Sequence, residues 1–124
     1  MSRYALPFAA LLFALTAARC GPGTMFEATP SIRGELRAII PASGASDLGF
    51  ARIEGSRNDD LPYDKADVTV TRATTISRRR GGALEPITFD SLRVGMLVEA
   101  TFTGPVAESY PVRATAASII VIEP

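Results

Sequence analysis

An all-β fold is what this sequence predicts, and three observations carry it. Apolar residues recur at every second position in several short runs. Clusters of Gly, Pro, Asn and Asp separate those runs at short intervals. Behind residue 30 no segment sustains a 3.6-residue apolar period beyond a single turn.

The first strand spans Ile32 to Ile40. Ile32, Gly34, Leu36, Ala38 and Ile40 share one face and Arg33, Glu35 and Arg37 the other, with Pro41 as the stop. Ala42 to Leu48 is a small-residue turn, and Gly49 to Gly55 returns as a second strand beside the first. Ser56 to Lys65 is polar and turn-forming. A third strand follows at Asp67 to Thr71, with Val68 and Val70 on one face, and it continues past a bend through Thr74, Thr75 and Ile76. Arg78-Arg79-Arg80-Gly81-Gly82 is expected as a charged turn, and Phe89 to Gly95 as one helical turn closed by its glycine. The fourth strand alternates Met96, Val98, Ala100 and Phe102 against Glu99 and Thr101 until Gly104-Pro105 breaks it. The fifth runs from Arg113 to Ile122, and Ile119 to Ile122 are apolar on both faces, as in a strand covered on both sides.

Five short strands within about 90 residues match a small antiparallel barrel of the OB type, which removes most exposed edges by closing on itself. An open meander sheet is the alternative with the same strand count.

The first 30 residues follow other rules. Arg3 is the only charge ahead of the apolar run Ala5 to Ala18, and small residues follow. That order is the layout of a secretory signal, and the run is shorter than the roughly 20 apolar residues that a spanning helix needs. The expected organisation is a signal peptide over residues 1–19, a Gly/Pro-rich tether over 20–30 and one domain over 31–124. Cys20 is the only cysteine, so no intramolecular disulfide is available, and its place just behind the signal makes it the candidate lipid-attachment residue. Arg19 stands where a small residue normally precedes such a cysteine. An ordinary cut after Ala18, releasing a soluble secreted domain, is therefore the competing expectation.

Composition excludes several classes of chemistry. Without residues 1–19, the 13 basic residues lose Arg3 and Arg19, leaving 11 against 13 acidic and a net charge of −2. Such a domain lacks the attraction that non-specific nucleic-acid binding requires, so no nucleic-acid partner is expected. There is no histidine. Ser-His-Asp and Cys-His nucleophile systems, histidine-ligated metals and histidine acid–base work are thereby removed. Gly81-Gly82 lacks the spacing of a phosphate-binding or dinucleotide-binding loop. Asn58, Asp59, Asp60, Asp64 and Asp67 form an oxygen-rich loop, but their spacing is not that of an EF-hand, and a solvated turn accounts for them. No cofactor, metal or enzymatic activity is expected.

The last third carries a resemblance. Leu92-Arg93-Val94-Gly95-Met96-Leu97-Val98 forms a leucine, glycine, valine step. Glu108-Ser109-Tyr110-Pro111 follows, then a final Ala-x-x-Ile strand, while Val68, Val70, Thr75 and Ile76 fit upstream. Together these residues resemble the YobA-like family of bacterial lipoproteins over roughly residues 32–122. The resemblance implies export and an OB-like barrel, and supplies no activity. Glu108, Ser109, Tyr110 and Pro111 are the candidate ligand or turn motif. As a turn, Pro111 fixes φ and Tyr110 covers the barrel end; a nucleophilic Ser109 would need a base, and Lys65 is the only lysine. Arg78, Arg79 and Arg80 are the only basic cluster and read as a solvated hairpin tip. The expected function is a non-catalytic binding or adaptor module of the cell envelope, held to the membrane through a lipid on Cys20. A structural envelope protein contacting other proteins is the alternative.

Overall fold

The computed structural model describes residues 29–44, 47–55 and 60–122. The expected signal, Cys20 and most of the tether lie outside the described residues. Seven strands follow one another: β1 (Ile32–Pro41), β2 (Asp47–Glu54), β3 (Lys65–Thr71), β4 (Thr75–Arg80), β5 (Ala83–Pro86), β6 (Leu97–Ala107) and β7 (Val112–Ile122). One 3₁₀ turn, Phe89–Ser91, separates β5 from β6. The fold is all-β, as the alternation requires.

Five of the strands close into a ring, β1–β2–β3–β7–β6 and back to β1, and β4 and β5 extend from β7. The barrel is not wholly antiparallel as expected, because β3 and β7 run parallel. The reason is arithmetic. Up and down directions cannot alternate around an odd number of strands, so one neighbouring pair must run the same way. β4 is the second parallel neighbour of β7. It takes the edge of β7 that β3 leaves after Thr115, and β6 occupies the other edge.

The bend between β3 and β4 is fixed by one buried hydroxyl. Thr74 Oγ1 donates to the Ala116 carbonyl at 2.7 Å and accepts from the Thr71 amide at 3.0 Å. The Ala116 carbonyl bond is buried and the Thr71 amide bond partly so, and leaving a buried group unpaired costs about 1–3 kcal/mol.

The period-two positions meet in a single core. Ile32, Leu36, Ile53, Val68, Val70, Val98 and Ile119 are fully buried. Aromatic residues close its two ends. Phe89 packs at one end, where a Cβ on Gly49 would reach within 2.6 Å of the ring. Tyr63 and Phe102 stack at the other, with centroids 5.4 Å apart. Glycines permit the tightest crossing: a Cβ on Gly34 or Gly55 would collide with the facing backbone of Glu54 or Arg33.

Four expectations are corrected by this arrangement. A bulge between Leu36 and Ala38 shifts the register of β1. Ile39 therefore packs against the core while Ile40 is 58% exposed, reversing their expected faces. Arg78 to Arg80 lie within β4, leaving only Gly81-Gly82 as the turn. β5 was not expected, because four exposed residues carry no alternation to read. β6 continues through Gly104-Pro105, because the ladder to β7 skips from Thr103 to Ala107 and leaves Pro105 without a hydrogen bond to supply.

Candidate binding groove

The ring has an inner and an outer side, and the outer side of β1, β2, β3 and β7 carries the candidate site. Antiparallel register between β1, β2 and β3, with the parallel step to β7, aligns two rows across the strands. The first row runs Ala38, Arg52, Asp67, Arg113. The second runs Ile40, Phe50, Thr69, Thr115. All of these residues except Thr115 line a groove of about 450 Å³.

The chemistry of the two rows differs. Ile40 and Phe50 expose 58% and 44% of their surface side by side, an apolar pair on a face that otherwise carries polar and charged groups. In the first row, Arg52 grips both carboxylate oxygens of Asp67, with Nη2 donating to Oδ2 at 2.9 Å and Nε donating to Oδ1. That hydrogen bond, and then the Asp67 charge, hold the Arg52 guanidinium above its ordinary pKa. Asp67 is thereby neutralised locally. Arg113 is its cross-strand neighbour on the other side and is exposed, and no described residue forms an ion pair with it.

The Glu108-Ser109-Tyr110-Pro111 motif forms the turn from β6 into β7, ending two residues before Arg113. Its peptide bond Tyr110–Pro111 is cis. Ser109 Oγ donates to the Pro111 carbonyl at 2.8 Å, a local turn bond that leaves no nucleophile–base pair at this serine. Tyr110 does not cover the barrel end as expected. It is 56% exposed, donates its hydroxyl to Asp64 Oδ2 at 3.0 Å, and lies with its ring 5.5 Å from Lys65 Nζ. Lys65 opens β3 and Asp64 directly precedes it, so the tyrosine ties the β6–β7 turn to the start of the groove's central strand. The end of the barrel is closed by Tyr63 and Phe102 instead.

The other candidates disperse. Among the described residues no group of three acidic, histidine or cysteine side chains could hold a metal ion. Asp64 and Asp67 of the oxygen-rich loop bond to Tyr110 and Arg52, and Asn58 and Asp59 lie outside the described residues. Of the three arginines, Arg79 turns to Glu99 at 3.5 Å, and only Arg80 is exposed.

Sequence reasoning weighed one groove residue, Asp67, and only as part of the oxygen-rich loop; it named no other as a site. One signal was present: with Gly49, Ala51 and Ile53 inward, Phe50 must share the solvent face with Arg52 and Glu54, an unusual place for an aromatic. Ile40 gave no such signal, because the bulge conceals its face. Comparison of the chain with protein-family models, curated proteins and solved structures finds no match.

Proposed function

We propose that this protein is an exported, lipid-anchored binding module of the bacterial cell envelope, resembling the YobA-like lipoproteins and acting without catalysis. The observation that carries the reading is the outer groove, where exposed Phe50 and Ile40 stand beside charged side chains on a rigid, closed sheet. Concave sites that combine an apolar surface with a few fixed polar groups are the usual form of a binding site. Barrels with this strand connectivity present the outer face of their second and third strands, flanked by two loops, to oligomeric ligands. Here the Glu108–Pro111 turn, tied through Tyr110 to Asp64 just ahead of β3, flanks that face. The membrane attachment rests on Cys20 at the end of the signal-like segment.

Two measurements test the proposal. A glycan array and a pull-down from solubilised envelopes, both with the full chain, should yield a ligand that Phe50→Ala no longer binds. If Phe50→Ala retains every ligand found, the groove is not the site. Intact mass and detergent partitioning should show an acyl chain and membrane retention that Cys20→Ser loses. A native protein that begins at Arg19 and stays in the aqueous phase would remove the anchor.

A further inference from the structure

We infer that the groove takes an acidic glycan, a sugar chain carrying carboxylates, with a sugar face on Phe50 and a carboxylate on Arg113. The inference rests on the binding-module reading and specifies its ligand.

Charge comes first. The groove holds three charged side chains, and Arg52 and Asp67 compensate one another through both carboxylate oxygens. What is left is the single positive charge of Arg113, without an ion-pair partner among the described residues. A guanidinium offers a planar pair of donors suited to a carboxylate. One uncompensated cation is matched by one carboxylate of such a chain at this point.

Shape comes second. Phe50 stands on the outer face with its flat ring half exposed, and an aromatic face is electron-rich, complementary to the C–H face of a pyranose. Thr69 beside it, and the Arg52–Asp67 pair in the next row, offer donors and acceptors suited to hydroxyl groups. Phe50 and Arg113 are separated by β3 and offset by one row, roughly 12 Å apart at the backbone from strand spacing and rise, so a ligand touching both is longer than one sugar.

Backbone pairing argues against an extended peptide. Strand addition needs a free edge. At this face β2 is paired on both sides with β1 and β3, and β3 on both sides with β2 and β7. Recognition here falls to side chains on a closed surface.

The test uses calorimetry on the full chain with three probes: oligogalacturonate, its methyl ester of equal length, and a single-stranded oligonucleotide. Oligogalacturonate should bind, more weakly as salt rises, and the ester about tenfold less tightly, the worth of a charged hydrogen bond. Arg113→Gln should bring the acid down to the affinity of the ester, and Arg113→Lys should restore part of the difference. Phe50→Ala should weaken both glycans. Equal affinity for acid and ester, both lost in Phe50→Ala, would overturn the acidic class and leave the groove as a binding site. Tighter binding of the oligonucleotide, or absence of oligogalacturonate binding, would overturn the glycan assignment. Loss of the groove itself requires the further result that no envelope ligand responds to Phe50→Ala.

Discussion

Two outer faces of one sheet meet along β7, and they solve the same problem in opposite ways. The face over β1, β2 and β3 exposes Ile40 and Phe50 and leaves Arg113 without an ion-pair partner among the described residues. The face over β4, β6 and the second half of β7 also forms a depression, of about 240 Å³, lined by Thr75, Ser77, Thr101 and Ser118. There the charges are spent on one another. Glu99 accepts from Arg33 at 2.8 Å and from Arg79 at 3.5 Å, with its side chain only 13% exposed. A depression whose hydrogen-bonding groups are small and whose charges are closed into a network has little left for a ligand. The lesson is that concavity alone does not distinguish these faces; the residual charge and the exposed ring do.

The largest perturbation should remove both faces together. Ile119 is fully buried on β7 behind the second face, pairing with Ala100 and Ile76. Ile119→Ala should cost about 2–5 kcal/mol by lost burial and a cavity, read as a fall in the urea midpoint, and both depressions should disappear in one transition. Separate loss of the two faces would show that the β4–β5 extension unfolds independently of the ring. Thr74→Val comes next. It leaves the Thr71 amide and the Ala116 carbonyl without their hydroxyl partner and should cost about 1–3 kcal/mol. Faster amide exchange at Thr71 should accompany the loss. Unchanged exchange there would mean that the bend is held by the turn bonds to Thr71 from the Thr74 and Ala73 amides and by the β4–β7 ladder.

Two surface substitutions then separate the faces. Phe50→Ala should change stability by no more than about 1 kcal/mol, since the ring is half exposed, while ligand binding to the groove is lost. Glu99→Gln should lower stability by under about 1 kcal/mol and leave binding at the Phe50 face intact. Only a small part of that loss should fade at high salt, because a largely buried charge network is screened much less than an exposed pair. A binding defect in Glu99→Gln would mean that the two faces are coupled through β7.

The helical turn expected from Phe89 to Gly95 is only Phe89–Ser91, capped at Leu92, but period-two alternation was enough to establish the all-β class, the position of β1, β2, β3 and β7 to within about two residues and the bend into β4. These depend on local burial, which a strand records in its own residue order. The interior positions Leu36, Ile53, Val68, Val98 and Ile119 could be read in the same way. What alternation cannot record is a bulge or an exposed strand. The shift at Arg37 that turns Ile40 outward is a property of the β1–β2 ladder, and β5 owes its pairing to β4 rather than to any pattern of its own. The parallel contact of β3 with β7 follows from closing an odd ring, and no segment of the chain contains that information.

The groove belongs to the same category. Arg52 and Asp67 are 15 residues apart, and Arg113 is 46 beyond Asp67. Their row exists only because three registers coincide. The Glu108–Pro111 turn was visible as a motif, but its tie to Asp64 came from the fold. The sequence alone determined most of the strands and the core, because each is a local pattern of polarity. The tertiary structure decided which charges cancel and which one is left over, because electrostatic compensation depends on distance in space and not on order along the chain.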